Sequence, residues 1–155
     1  MSQHIHCIQY TNIFVYSIMI EIISGLWLGG FDEVHSIVHL GKKYRTILNV
    51  SALDITHKYP KITYFDIPIK KKTNTNYHVE IFDTTNKIID NHIHGGILIN
   101  CKRGKHRSAT VVVAYLMHRY GFSLQRSVNY VRMRKPEVFS SSIYMLEKLI
   151  EKHTD

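Results

Sequence analysis

Residues 97–115 of the 155-residue chain read ILINCKRGKHRSATVVVAY, a passage from a strand-like to a helix-like pattern. Ile97, Leu98 and Ile99 form a short, wholly apolar run that is typical of a central strand covered on both faces. A polar loop follows, and after Arg107 the apolar residues take up helical spacing. A buried strand that leads through a tight loop into a helix directs backbone N–H groups and the helix dipole at one point. This arrangement favours binding of an anion such as phosphate.

Reactive and basic side chains are concentrated in this loop. Cys101 lies at its start, where a helix N-terminus and nearby cations lower a thiol pKa and make the sulfur nucleophilic. Arg107 can fold back and place two N–H donors on two phosphate oxygens. The Ser108 hydroxyl could steady the thiolate and, later, its departure from a phosphorylated cysteine. These three are the candidate catalytic residues, and the candidate phosphate-binding loop comprises Lys102, Arg103, Gly104, Lys105 and His106. Gly104 lets the loop curl tightly because it has no Cβ, and His106 is expected to contribute through its backbone N–H.

The sequence on either side predicts an α/β domain with a central mixed, mostly parallel sheet of about five strands flanked by helices. Strand-length apolar or β-branched runs dominate the first half, and helical spacing dominates the second. The predicted strands cover residues 19–23, 26–29, 46–50, 62–69 and 97–99. The predicted helices cover residues 34–40, 79–92 and 108–120, a segment from the N-cap Ser123 to Arg134, and residues 140–152.

Length, charge and cysteine content limit the class of protein. The chain is the size of one domain, and its formal charge of +8 attracts phosphoproteins, nucleic acid or anionic lipid without choosing among them. Two widely spaced cysteines, Cys7 and Cys101, indicate a reducing intracellular compartment rather than a disulfide framework. Polar residues such as Glu21 interrupt the apolar run over residues 13–28, so we expect a soluble chain without a membrane span or secretory signal.

The order Cys101, five residues, Arg107 and then Ser108 resembles the Cys-x5-Arg-Ser signature of protein tyrosine phosphatases, and more narrowly the dual-specificity branch. Further landmarks follow in the family's order. Residues 25–29 (GLWLG) resemble an early LYLG strand, and the others are residues 47–51 (ILNVS), 67–69 (IPI), 114–117 (AYLM) and 131–136 (VRMRKP). The resemblance covers roughly residues 22–149.

The resemblance implies a two-step reaction in which the Cys101 thiolate takes the phosphoryl group and water then hydrolyses the phospho-cysteine. It implies no metal or cofactor and phosphorylated proteins as substrates. The cysteine content, with no predicted signal or membrane span, leads us to expect a cytoplasmic location. We expect residues 1–18 to be an N-terminal extension and residues 19–155 to be the catalytic domain. Frequent Asn, Ile, Lys and Tyr suggest an AT-rich, for example viral, genome.

Two positions depart from the family pattern. Asn100 stands where the family has a His before the cysteine, and because an amide also forms hydrogen bonds we expect a modest loss. The family's general acid is an Asp whose position falls at or beside Lys71. Asp66 is the closest carboxylate in sequence but lies within a predicted strand, and Asp83 could approach from the following helix. A missing acid costs about 10² to 10⁴ in rate when the leaving group needs a proton.

The missing Asp leaves alternatives beside a dual-specificity protein phosphatase with a displaced acid. An RNA 5′-triphosphatase would release diphosphate, which is already a good leaving group. A phosphate-binding module would turn over little. Lys102 and Lys105 form a Cys-Lys-x-Gly-Lys pattern that resembles phosphoinositide and other lipid phosphatases. The three lysines at residues 70–72 either form a solvated loop or attract the substrate to the mouth of the site.

Overall fold

The computed structural model of the chain describes residues 19–35, 44–70 and 75–139. Five strands and four helices lie in these ranges. In chain order they are β1 (Ile20–Ile23), β2 (Leu26–Gly30), α1 (Phe31–His35), β3 (Thr46–Asn49), β4 (Thr63–Asp66), α2 (Thr75–His92), a 3-10 turn (Ile93–Gly95), β5 (Ile97–Cys101), α3 (Arg107–Tyr120) and α4 (Leu124–Arg134).

The strands form one sheet in the order β1-β2-β5-β3-β4. β1 and β2 are antiparallel, whereas every other neighbouring pair is parallel. The mixed, mostly parallel sheet confirms the predicted fold class. All five residues of β5 are buried, because neighbouring strands flank it and the protein covers both faces. The carboxyl ends of four parallel strands therefore share one edge, and Cys101 is the last residue of the central one.

Helix α3 follows the loop directly and forms the main apolar contact with the sheet. Its residues 108–117 are buried, and a valine side chain buried completely contributes about 1.5–3 kcal/mol. Gly121 ends the helix in the left-handed conformation, with its N–H donating to the Met117 carbonyl oxygen at 3.1 Å. The predicted N-cap of α4 is confirmed, because the Ser123 hydroxyl accepts a hydrogen bond from the Arg126 N–H at 3.1 Å.

Several predicted boundaries differ from the structure. The strand predicted over residues 62–69 ends at Asp66, although the Ile67 and Ile69 N–H groups still bond to the Asn49 and Val50 carbonyls. Pro68 lies between them without an N–H to donate. Strand β5 continues to Cys101, beyond the predicted end at residue 99.

Two predicted helices begin earlier than expected. α2 begins at residue 75 rather than 79, and a helix covers residues 31–35 where one was expected from residue 34. The remainder of that predicted helix, the helix at residues 140–152 and the extension at residues 1–18 lie outside the described residues. No helix in the described part of the chain is long and apolar enough to cross a membrane.

Candidate active site

The loop between β5 and α3 is held from outside through its carbonyl groups. Three donors from different parts of the fold bind it: Phe31 N–H to the Lys102 oxygen at 3.1 Å, Lys135 Nζ to the Gly104 oxygen at 2.8 Å, and Phe139 N–H to the Lys105 oxygen at 2.9 Å. The N–H and C=O of a trans peptide unit point in opposite directions. Outward carbonyls therefore direct the N–H groups of Arg103, Lys105 and His106 toward the inside of the loop, where an anion would lie.

Cys101 is fixed by the sheet and its sulfur is enclosed by the loop. Its side chain is 4% exposed. The sulfur lies 3.1 Å from the Ser108 hydroxyl oxygen and accepts a hydrogen bond from the Gly104 N–H at 3.2 Å. Burial raises the pKa of this thiol. Hydrogen bonds from the Ser108 hydroxyl and from the backbone N–H groups of Ser108, Gly104 and His106 lower the pKa. Together these bonds outweigh burial, so the pKa of Cys101 is below its ordinary value. These donors stabilise the thiolate form.

Gly104 is required by the shape of the loop. Its φ of +69° is in the left-handed region, which side chains with a Cβ rarely adopt. An added Cβ would lie 2.6 Å from the carbonyl carbon and oxygen of Gly29 and 2.8 Å from Lys135 Nζ. The loop therefore packs backbone against backbone on the end of β2, and a larger residue at position 104 would push it away.

Arg107 is the first residue of α3, and its half-buried side chain reaches the segment after β4. Its Nη1 donates a hydrogen bond to the Ile69 carbonyl oxygen at 3.4 Å. This contact joins the start of α3 to the segment that precedes Lys71, the expected position of the general acid. The side chains of Lys102 and Arg103 are exposed, and those of Lys105 and His106 are half-buried. The rim of the loop is thus basic.

Asn100 belongs to a row of polar side chains beneath the loop. Its Nδ2 donates to the Asn49 Oδ1 at 3.0 Å, and the Ser51 hydroxyl donates to the same oxygen at 2.7 Å. Asn49 Nδ2 in turn donates to the Leu53 carbonyl oxygen at 2.8 Å and to the Asp66 Oδ1 at 3.0 Å. Asn100 therefore connects the end of β5 to the end of β3 by the hydrogen bonding expected of an amide.

Sequence reasoning treated Asn49 and Ser51 only as family landmarks and missed that Asn100 and Ser51 both donate to the Asn49 side-chain oxygen. Asn49 is a polar residue that directly follows the apolar Ile47 and Leu48 in β3, and it is almost fully buried. A polar residue in such a run needs a hydrogen-bond partner, and that signal could have found it.

Residues 26–155 match the family model of the dual specificity phosphatase catalytic domain. The chain belongs to the dual-specificity phosphatase family. This confirms the resemblance drawn from Cys101, Arg107 and Ser108.

Known proteins place the chain in the same family. The dual specificity protein phosphatase 1B of Arabidopsis thaliana is 31% identical, in a match that covers 84% of this chain and 83% of that protein. The tyrosine-protein phosphatase YVH1 of Saccharomyces cerevisiae is 29% identical over 83% of this chain. The match spans only 43% of the yeast protein. The crystal structure of human DUSP28 has a TM-score of 0.75 and 20% identity, covering 86% of this chain and 90% of that one, and it shows the shared fold.

The structure describes only part of the segment in which a dual-specificity phosphatase carries its general acid. Lys71 lies outside the described residues. Asp66 is the last residue of β4, and its carboxylate accepts the Asn49 hydrogen bond on the side of the sheet network. Asp83 is exposed on α2.

Proposed function

We propose that this chain is a dual-specificity protein phosphatase that removes phosphate from phosphotyrosine and from phosphoserine or phosphothreonine through a phospho-cysteine intermediate. The observation that carries the proposal is the placement of the Cys101 sulfur inside a loop whose carbonyls are held outward. A thiolate surrounded by N–H donors suits a tetrahedral oxyanion above it. Membership of the family supports the same activity. Residues 19–155 would form the catalytic domain.

In the first step the Cys101 thiolate attacks phosphorus as the bond to the leaving oxygen breaks, so a P–S bond replaces a P–O bond. The leaving oxygen takes up a proton from solvent water. Arg107 and the inward loop amides stabilise the equatorial oxygens in both steps. Water then attacks phosphorus, the P–S bond breaks and inorganic phosphate leaves. Ser108, 3.1 Å from the sulfur, stabilises the thiolate that is released.

The basic rim supports a phosphorylated, anionic substrate. Lys70, Lys102 and Arg103 are exposed. These cations attract acidic protein segments, and they would also attract RNA or phosphoinositides. We propose phosphoproteins because the relatives that the chain matches are named protein phosphatases. A panel of phosphopeptides, 5′-triphosphorylated RNA and phosphoinositides tests this choice, and a strong preference for RNA or lipid would replace it.

Hydrolysis of p-nitrophenyl phosphate under reducing conditions tests the chemistry. Its leaving group hardly needs an acid, so turnover is expected even with Lys71 at the acid position. Cys101→Ser should abolish turnover while phosphate binding remains. Arg107→Lys should lower kcat/KM by about 10²-fold or more, because an ammonium cannot make the two-pronged contact.

Arg119→Lys is the matched control, since Arg119 is exposed near the other end of α3. Its activity should equal that of the wild type. A reduced, folded wild-type protein that neither hydrolyses the ester nor forms a phospho-cysteine would refute the proposal. Phosphopeptide binding by that inactive protein would instead identify a binding module.

A further inference from the structure

Lys135 is a buried cation directly behind the loop. It follows α4, its side chain is 1% exposed, and its Nζ donates to the Gly104 carbonyl oxygen at 2.8 Å. Burying an ammonium is costly, so a lysine in such a position is normally engaged by hydrogen-bond acceptors. The contact with Gly104 is therefore a specific feature of this fold.

The backbone around Lys135 holds this side chain in place. The Lys135 N–H donates to the Val131 carbonyl oxygen at 2.9 Å, and the Lys135 carbonyl oxygen accepts from the Val138 N–H at 3.2 Å. Four residues later the Phe139 N–H binds the next loop carbonyl, that of Lys105. Phe139 does so with a φ of +60°, an unfavourable conformation for a residue with a Cβ. Residues 135 and 139 thus donate hydrogen bonds to two successive carbonyls of the loop.

The Gly104 carbonyl and the Lys105 N–H belong to one planar peptide unit. Because they point in opposite directions, a donor that fixes the carbonyl outward also fixes the N–H inward. Lys135 can therefore fix the direction of the Lys105 N–H from outside the loop. Its burial also separates it from the exposed Lys102 and Arg103, which a substrate would meet first.

We infer that Lys135 is a positioning residue, whose ammonium orients the Gly104–Lys105 peptide so that the Lys105 N–H binds a phosphoryl oxygen. The inference rests on the proposed function, because it assigns a supporting role to a residue behind the same anion site. Gly104 takes part in two ways, since its N–H contacts the Cys101 sulfur and its carbonyl contacts Lys135. The side chain behind the loop therefore affects both oxyanion binding and the direction of the amides around the sulfur.

The test compares Lys135→Met and Lys135→Arg with the wild type by calorimetric titration with inorganic phosphate and by p-nitrophenyl phosphate kinetics. Lys135→Met should bind phosphate about tenfold more weakly and lose a similar factor in kcat, as expected when one charge-assisted hydrogen bond is misdirected. Lys135→Arg keeps a cationic donor and should lose less. Lys87→Met removes an exposed lysine of α2 and should leave both quantities unchanged.

A merely structural role predicts a different result. In that case Lys135→Met would lower the thermal midpoint, while its folded protein would bind phosphate with wild-type affinity, and this outcome overturns the inference. If Lys135→Met does not fold, the wild type decides by NMR. The Lys105 amide proton should move downfield on addition of phosphate, and an unmoved signal overturns the inference. A wild type that neither binds phosphate nor hydrolyses the ester would refute the proposed function itself.

Discussion

The sulfur of Cys101 lies where two influences on its charge oppose each other. Burial disfavours the thiolate, whereas the Ser108 hydroxyl and three backbone N–H groups favour it, and the pKa of Cys101 is below its ordinary value. The thiolate fraction thus grows as the pH rises through a pKa lower than that of an exposed cysteine. The hydroxyl oxygen of Ser108 lies 3.1 Å from this sulfur, within hydrogen-bond distance.

Ser108→Ala should raise the pKa of Cys101, because alanine cannot donate to the sulfur. The pH profile of Cys101 alkylation by iodoacetamide should shift toward higher pH, and kcat should fall by about tenfold. Ser127→Ala is a matched control, since Ser127 is also a fully buried serine but lies on α4. An unchanged alkylation profile in Ser108→Ala would show that the loop amides alone set the thiolate.

At this scale the sequence predicted the local part of the site and missed the distant part. Cys101, Arg107 and Ser108 lie on one short segment, so their spacing alone placed them together. Lys135 reaches the loop and Asn49 reaches Asn100 at the end of β5, each from another element, and only the packing of α4 and the strand register bring them there. Their roles remain invisible until the tertiary fold is known.

Helices α2 and α3 are joined by a polar contact at the end remote from Cys101. Asp90 of α2 accepts hydrogen bonds from the Tyr115 hydroxyl at 2.9 Å and from His118 Nε2 at 3.1 Å, both on α3. Burial raises the pKa of Asp90, but the hydrogen bonds from His118 and Tyr115 together outweigh burial. The pKa of Asp90 is therefore below its ordinary value. The pKa of Tyr115 is raised, mainly by burial of its hydroxyl and to a smaller extent by the hydrogen bond to Asp90. The contact fixes the helix that begins at the loop.

Asp90→Ala should lower the free energy of unfolding at pH 7 by about 0.5–1 kcal/mol, a value reduced for solvent screening at a partly exposed carboxylate. A lowered carboxyl pKa stabilises the folded state above the unfolded pKa of about 4, and this contribution disappears as the pH falls through the folded pKa. Urea denaturation at pH 7 and at about pH 2.5 should therefore show a smaller difference at the lower pH.

Glu80→Ala removes another exposed acid of α2 and serves as the control, with little change at either pH. An equal loss in Asp90→Ala at both pH values would assign the effect to packing rather than to the carboxylate.

Element types were predicted well because burial imposes a clear periodicity, as in β5 and α3. Boundaries were less certain. The strand-like run over residues 62–69 continues past Asp66, where the regular register of β4 with β3 ends, and the first residues of α2 are mostly polar. Composition cannot mark an end that depends on the length of a neighbouring strand.

On the scale of the whole molecule, we expect the positive charge to act at the candidate active site. The chain carries a net charge of +8, and the loop rim exposes Lys102 and Arg103. An electrostatic field of this sign speeds the approach of anionic substrates and is screened by salt.

A phosphopeptide with acidic flanking residues should lose about tenfold in kcat/KM between low and high salt. The same phosphopeptide with uncharged flanks should lose much less, because only its phosphate meets the field. Steady-state kinetics over a salt series measures both. Parallel curves for the two peptides would show that the surface charge has no part in substrate capture.

The contact between Gly104 and Gly29 links two stretches that are distant in the sequence. Strand β2 is bonded to β1 on one side and β5 on the other, so its end cannot retreat if the loop acquires a side chain. A change at position 104 would therefore have to be accommodated by the loop alone, at the expense of its curvature. We therefore expect changes of specificity to arise in the outer side chains of the loop and in neighbouring segments, while the curvature of the loop at Gly104 is kept.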